Sequence, residues 1–273
     1  MSIRGRTGEF LALSVQRLCR TMKISRSLYY RASQPKNEPP EVEQMRKVLE
    51  KFPRYGYRRI AASLNLGCKR ARTLMKRFGL VQKRRSRRGC TVPSRFGGGA
   101  NLVQNLRLSG PCQMWASDVT AVRLEGRKMA YVAVVLDVFT REAVGFALSM
   151  KNDTGLTIAA LEMAYLNEKP APGWVHHSDR GANYTSHDYL SWVVKRGGIS
   201  SFSEPGKPTQ NAFAESFFKS FKTEEGGLDI YSDIEDATTA TENYMKLYNN
   251  ERLHSAIGMK APMTFKKELA LLS

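Results

Sequence analysis

Three carboxylates in this sequence stand at positions that a stable fold alone does not require. Asp118 lies inside a predicted strand, Asp179 ends another predicted strand, and Glu215 lies within a predicted helix. Between them lie 60 residues from Asp118 to Asp179 and 35 from Asp179 to Glu215. Their surroundings distinguish reactive groups from ordinary solvated acids, and those of Glu215 are the most informative.

The helix predicted over residues 210–225 turns Glu215 away from the core. Its phenylalanines recur every four residues and form a packing stripe: Phe213, Phe217 and Phe221. At about 100° per residue, Glu215 lies about 200° from Phe213. Asn211, Lys219 and Lys222 share its side of the helix. A carboxylate flanked by an amide and two ammonium groups suits a phosphodiester site, although an exposed Glu/Lys face has the same composition.

The elements that must position these carboxylates follow from hydrophobic periodicity. Period-two, β-branched segments predict three successive strands, followed by alternating helices and short strands and then two long helices. The predicted strands cover residues 115–122, 130–139, 143–150, 174–177 and 199–203, and the helices between them cover 153–167 and 186–197. This order predicts an α/β fold, a mixed sheet with helices packed on it.

Charge divides the chain into two parts. Residues 1–110 hold 26 Lys and Arg against 5 Asp and Glu, whereas residues 111–273 hold 17 against 20. We therefore expect a basic arm that binds nucleic acid and a nearly neutral body with a different function. The expected organisation is a small helix-turn-helix segment over residues 1–35, a helix-turn-helix domain with a basic tail over 40–92, a flexible linker over 93–108, and a catalytic core with C-terminal helices over 109–273.

The basic arm carries the candidate DNA contacts. A helix predicted over residues 68–78 is too basic for an ordinary solvated face, so we expect it to enter a DNA groove, with a merely soluble surface as the alternative. A basic run follows, suited to phosphates or the minor groove, or simply to solubility. The candidates are Lys69, Arg70, Arg72, Lys76, Arg77, Lys83, Arg84, Arg85, Arg87 and Arg88.

The spacing and the flanking motifs resemble a known family. The motifs are Trp115-x-x-Asp118-Val119-Thr120, Asp137-x-Phe139-Thr140-Arg141, His177-x-Asp179-Arg180-Gly181-x-x-Tyr184, Gly206-Lys207-Pro208-x-x-Asn211-Ala212-x-x-Glu215 and Tyr248-Asn249-x-x-Arg252-x-His254, with Tyr55-Gly56-Tyr57-Arg58-Arg59-Ile60 in the arm. Together they resemble the insertion-sequence transposases of the retroviral-integrase superfamily, most closely the second-reading-frame product of the insertion-sequence-three family. Gln210 and Glu204 depart from the residues common in that family.

The resemblance implies a ribonuclease-H-like core and a DNA-cleaving and DNA-joining enzyme. Asp118, Asp179 and Glu215 would be the catalytic triad and would bind two Mg²⁺ ions, with Mn²⁺ as a substitute, about 3.5–4 Å apart. Lys219 and Lys222 resemble positions that approach the DNA backbone, and Arg58 and Arg59 lie in the helix-turn-helix motif. His177 and Asn211 are candidate neighbours of the site, although a structural role suits His177 as well.

Several other residues leave alternatives open. Asp137 is a weak candidate ligand, since a turn or cap role explains it equally well. Tyr248, Asn249, Arg252 and His254 either touch DNA or stabilise the fold.

The expected partners are double-stranded DNA, both element ends and target, and further copies of the chain, as a homodimer or a higher assembly. A first-reading-frame partner or fusion is a further candidate. No stretch suits a membrane helix, and four scattered cysteines without a Cys-x-x-Cys pair indicate reduced thiols in a cytoplasmic protein without structural zinc. The family resemblance implies a bacterial, nucleoid-associated location.

Two other functions compete with the enzyme hypothesis. A DNA-end-binding regulator of transposition would use the basic arm alone, without catalysis. A stand-alone ribonuclease-H-like nuclease would cut DNA without recognising ends or joining strands.

Overall fold

The computed structural model describes most of the chain. The described residues are 2–4, 10–12, 15–23, 25–27, 38–81, 101–103, 106–204, 208–225 and 230–272. They divide into two compact units, residues 1–43 and residues 44–273. No helix in these ranges is long and apolar enough to cross a bilayer.

The first unit contains a short antiparallel ribbon and one complete helix. Strands β1 (Ser2–Arg4) and β2 (Phe10–Ala12) pair with each other, and α1 covers Val15–Thr21. The sequence predicted the helix but not the ribbon, because three-residue strands are too short to show a period of two. The second predicted helix of this segment falls mostly on residues 28–31, outside the described ranges.

Three helices precede the sheet, and the third lies where the sequence predicted a helix over residues 68–78. They are α2 (Pro40–Lys51), α3 (Tyr57–Ser63) and α4 (Cys68–Arg77). Ile60 of α3 and Ala71 and Leu74 of α4 are buried, so the two helices share a small core. Gly79 follows α4 with a φ of +70°, a left-handed conformation that suits glycine at a helix end.

The body is built on a five-stranded mixed sheet. Its strands are β3 (Met114–Arg123), β4 (Met129–Asp137), β5 (Ala143–Ser149), β6 (Val175–Ser178) and β7 (Ile199–Phe202), in the order β5-β4-β3-β6-β7. The first three strands pair antiparallel, whereas β6 is parallel to β3 and β7 is parallel to β6. This is the ribonuclease-H-like mixed sheet that the sequence predicted.

Strand β4 shows why both faces of the sheet are covered. Ala133 and Val135 pack with α5 (Thr154–Glu168) and α7 (His187–Lys195) on one face. Val132 and Val134 pack with α8 (Ala212–Glu224) and α9 (Ile234–Asn250) on the other. Since successive strand side chains point to opposite faces, a continuous apolar strand requires helices on both sides.

A glycine in β5 lets α5 approach the sheet closely. A Cβ atom on Gly145 would lie 2.3 Å from the carbonyl oxygen of Ala160 and 2.7 Å from the backbone nitrogen of Ala164. Both contacts are with helix backbone, so a rotamer change cannot relieve them. The sheet and α5 can therefore pack at this distance only around glycine.

Two helices were absent from the sequence prediction. The short α6 (Ala182–Thr185) precedes α7, and α10 (Pro262–Leu272) follows α9, where only two long helices were expected after β7. Lys266 of α10 donates hydrogen bonds to Glu142 at 2.8 Å and to Glu168 at 2.7 Å. These two carboxylates, distant in sequence, hold a helix that its own periodicity signals weakly.

Candidate active site

Strand pairing brings two of the three predicted carboxylates to adjacent strands. Asp118 lies in β3, opposite Val134 of β4. On the other side of β3, Ala116 lies opposite His177 of the parallel strand β6. When this register is continued by two residues, Asp179 is level with Asp118.

A buried amide attaches the start of α8 beside Asp118. The side-chain nitrogen of Asn211 donates a 2.9 Å hydrogen bond to the carbonyl oxygen of Ser117. Asn211 directly precedes α8, and Glu215 lies in the first turn of that helix. The third carboxylate therefore approaches the sheet at the residue that precedes Asp118.

The charges of both other carboxylates affect the pKa of Asp118. Its pKa is raised to about 7, first because the side chain is largely removed from water and next because of the negative charge of Asp179. Glu215 raises it further, while the backbone N–H of Val119 and the charge of Lys222 lower it. Like charges that oppose ionisation of one group must lie close to it. The three acids therefore share one region of negative potential.

Each carboxylate keeps one oxygen without a hydrogen bond from the described residues. The other oxygen accepts from the Val119 N–H at 2.8 Å for Asp118, from the Gly181 N–H at 2.9 Å for Asp179, and from the Lys219 ammonium at 3.0 Å for Glu215. Hard carboxylate oxygens that lack a hydrogen bond fit Mg²⁺ or Mn²⁺. Within the described ranges, however, no three His, Cys, Asp or Glu side chains lie close enough together to hold an ion.

A buried polar network lies beneath the site, and sequence reasoning missed it. His176 is fully buried, and its ring nitrogens contact the hydroxyl of Ser117 at 2.6 Å and the hydroxyl of Tyr189. Burial lowers the pKa of His176 to about 3, so the ring is neutral. The network joins β3, β6 and α7 next to Asp118. No local sequence pattern indicates it, because all four residues of β6 are buried.

His177 is also buried, with both ring nitrogens occupied. They contact the hydroxyls of Ser201 at 3.0 Å and Ser203 at 3.1 Å, and burial lowers the pKa of the ring to about 4. These partners belong to β7 and the residue that follows it. The contacts are those of a structural histidine, the alternative that the sequence also allowed.

The two departures from the family pattern pair with each other. The side-chain amide of Gln210 donates to a carboxylate oxygen of Glu204 at 2.9 Å, and the backbone N–H of Glu204 donates to the Gln210 side-chain oxygen at 2.6 Å. These two hydrogen bonds join Glu204, which follows β7, to Gln210, which precedes α8. The two residues thus act as one structural unit.

The predicted DNA-contacting residues divide by location. Those with exposed side chains are Arg58, Lys69, Arg70, Arg72, Lys76, Arg77, Lys219 and Lys222. Arg59 is half-buried, and its guanidinium lies 5.6 Å from the centre of the Tyr55 ring. Lys83, Arg84, Arg85, Arg87 and Arg88 lie outside the described residues.

The C-terminal motif makes contacts within the chain. Asn249 accepts a hydrogen bond from the Ala143 N–H and donates one to the Ala143 carbonyl, each at 2.9 Å, which anchors α9 to the edge strand β5. Arg252 forms a buried ion pair with Glu224, with the side chains 4% and 0% exposed. Tyr248 packs against Phe217 with ring centres 4.8 Å apart.

Asp137 is engaged by its own turn. Its carboxylate accepts hydrogen bonds from the Cys112 N–H at 2.6 Å and from the N–H and hydroxyl of Thr140 at 2.7 and 3.0 Å. These bonds hold the turn between β4 and β5. This is the turn role that the sequence offered as the alternative to metal binding.

Comparison with known proteins identifies the family. Residues 109–208 and 198–262 match families described as Integrase core domain. The transposase InsF for insertion sequence IS3A of Escherichia coli K12 is 32% identical over 93% of this chain and 94% of its own length. A 31 kDa protein of insertion element IS600 from Shigella sonnei is 30% identical over 92% of this chain and 98% of its own.

Among solved structures, the HTLV-2 integrase catalytic core domain in complex with magnesium aligns with a TM-score of 0.45 and 14% identity, covering 59% of this chain and 99% of that one. The sequence relatives carry the assignment, because they are similar over nearly their whole length. The chain belongs to the insertion-sequence-three family of transposases, with an integrase core domain.

Proposed function

We propose that this transposase cleaves the ends of an insertion sequence and joins the freed 3′-hydroxyls to new phosphodiesters, with Asp118, Asp179 and Glu215 as its Mg²⁺ ligands. The observation that carries the proposal is the geometry of the strands and α8: the β3–β6 register, continued by two residues, sets Asp179 level with Asp118, and the hydrogen bond from Asn211 to Ser117 brings the first turn of α8, with Glu215, beside β3. Such a concentration of negative charge beside free carboxylate oxygens is unfavourable unless a cation relieves it.

The chemistry would be in-line displacement at phosphorus. Two bound Mg²⁺ ions supply activation of the attacking water or 3′-hydroxyl and stabilisation of the leaving 3′-oxygen. Asp118, Asp179 and Glu215 would hold these ions. Asn211 keeps α8 attached to β3, so that Glu215 stays within reach.

The basic residues would hold the DNA during these steps. Lys219 and Lys222 lie on α8 with Glu215, where they suit backbone phosphates beside the reacting one. Arg58 on α3 and the exposed basic residues of α4 would hold a neighbouring stretch of duplex. Because two element ends must meet during joining, a dimer or a higher assembly of this chain is the expected active form.

The test uses labelled duplexes copied from the DNA that flanks the coding sequence. With Mg²⁺ or Mn²⁺, the full chain should nick these duplexes at the element boundary and produce joined strands, and EDTA should abolish both products. Asp118→Asn and Glu215→Gln should lose both products and still bind the duplex. Asp188→Asn, an exposed carboxylate on α7, is the matched control and should retain activity.

The competing functions give different results. Random nicks without joined strands would indicate a nuclease, and boundary binding without any Mg²⁺-dependent product would indicate a regulator. Cleavage by Asp118→Asn at the wild-type rate would refute the proposed ligand set.

A further inference from the structure

A cavity of about 490 Å³ lies on the side of α8 that carries Ser216, within the unit formed by residues 44–273. Besides α8, three parts of the chain form its walls. They are the α2–α3 connection together with the start of α3, the turn after β4, and the end of α9 with the residues that follow it. Four arginines from separate segments line it: Arg54, Arg59, Arg141 and Arg252. We call this space the arginine cavity.

The only carboxylate that lines the cavity among the described residues is Asp137, and it is already engaged. It accepts hydrogen bonds from Cys112 and Thr140 rather than from an arginine. Arg252 is paired with the buried Glu224. No ion pair within the described ranges neutralises Arg54, Arg59 or Arg141. The cavity therefore has an excess of positive charge.

Buried nitrogens in this cavity lack partners. The Nε atoms of Arg59 and Arg141 and the Nε2 atom of His254 are buried and make no hydrogen bond to a described residue. Buried donors are nearly always satisfied in folded proteins, so the two unpartnered Nε atoms indicate that neither guanidinium is fully engaged within the described chain and that each is available to an acceptor in the cavity. Each guanidinium also faces an aromatic ring, Tyr55 for Arg59 and Phe213 at 4.4 Å for Arg141, which holds its plane in place.

His254 lies in the same positive potential. Its pKa is lowered to about 3, first by burial and then by the charges of Arg252, Arg59 and Arg141. The ring stays neutral because burial, and then the three arginine charges, disfavour its protonated form. A neutral ring can still offer an N–H to an acceptor in the cavity.

We propose that the arginine cavity binds a phosphate group through Arg59 and Arg141. Guanidinium groups match phosphate oxygens in a bidentate arrangement, and arginines from separate segments can grip one phosphate from several sides. Two sources share this chemistry, a phosphodiester of the DNA backbone and free inorganic phosphate. The DNA source rests on the proposed function, since Ser216, next to Glu215 in the chain, lines the same space.

The first experiment compares two salts on the wild type, with Asp118→Asn as a control. The melting temperature of the full chain in EDTA is measured in sodium phosphate and in sodium chloride of equal ionic strength. Phosphate should raise it in a saturable way, and Asp118→Asn should show the same rise, because that variant leaves the cavity intact. This separates the inference from the catalytic proposal.

Variants then locate the effect. Arg59→Gln and Arg141→Gln, on two different elements, should each lose the phosphate-dependent rise, whereas the exposed Arg123→Gln should keep it. Far-UV circular dichroism in chloride shows whether each variant is folded. If one of the two does not fold, the melting temperature of the other tests the proposal.

Binding of a boundary duplex in EDTA over a range of KCl concentrations distinguishes the sources. If the cavity holds a DNA phosphate, Arg141→Gln should reduce the slope of log K against log salt by about 1, whereas Arg123→Gln leaves it unchanged. If Arg141→Gln loses the phosphate-dependent rise in melting temperature but keeps the salt slope of DNA binding, the cavity binds free phosphate and not a DNA phosphate. If phosphate does not stabilise the wild type more than chloride does, and if the variants leave the salt slopes unchanged, the proposal is wrong and the cavity holds only water.

Discussion

Replacing Asp118 with Asn should change the pH dependence of folding in a calculable way. The folded pKa of Asp118 is raised to about 7, whereas its ordinary value is 3.8. Its contribution to stability is therefore full below about pH 3.8 and is lost as the pH rises through about 7. Asn lacks this titration but keeps the shape of the side chain.

The magnitude follows from the pH window. Between pH 5.5 and pH 8.5, the metal-free wild type should lose about 2 kcal/mol relative to Asp118→Asn, since about one and a half pKa units at 1.36 kcal/mol each lie between pH 5.5 and the folded pKa. All other titrating groups are common to both proteins and cancel in the difference. Asp179→Asn, which removes the largest charge that acts on Asp118, should shrink the effect.

Urea unfolding at both pH values in EDTA measures the difference directly. The control is Asp188→Asn, whose exposed carboxylate should give the same difference from wild type at both pH values. If Asp118→Asn also differs from wild type by the same amount at pH 5.5 and pH 8.5, the inferred convergence of the three acids is wrong. Mg²⁺ added at pH 8.5 should restore stability to the wild type more than to Asp118→Asn.

Three further predictions concern the scaffold and the proposed DNA contact of α4. Gly145→Ala should destabilise the protein by about 3 kcal/mol, seen as a lower urea midpoint, because its Cβ would meet helix backbone at 2.3 Å; an unchanged midpoint would contradict the packing. Asn249→Ala should cost about 2 kcal/mol, because Ala143 loses both backbone partners, whereas Asn250→Ala on the exposed side should cost far less. Lys69→Gln should lower the salt slope of duplex binding by about 1, and an unchanged slope would remove α4 from the DNA interface.

The element types were predictable from local patterns. A continuous apolar, β-branched strand such as β4 and a helix with phenylalanine every four residues such as α8 carry their periods in the sequence. The structure has both at the predicted places. The short strands β1 and β2 and the helix α10 were missed, because three residues show no period and α10 is held by Glu142 and Glu168, which are distant in sequence.

The candidate site divides in the same way. Residue type and spacing selected Asp118, Asp179 and Glu215 as candidates, because the place of each acid in its predicted strand or helix can be seen in the sequence. The network of His176 with Ser117 and Tyr189 was not predictable, because each residue alone looks like ordinary core.

The sequence by itself determined the residues capable of chemistry, the periods of the strands and helices, and the family. Only the tertiary structure decided that Asp118 has a raised pKa, that Asn249 and Arg252 stabilise the fold, and that four arginines surround one cavity. The physical reason is that a pKa, a hydrogen bond and a local potential depend on distances between atoms. Strand register and helix packing set those distances among residues far apart in the chain.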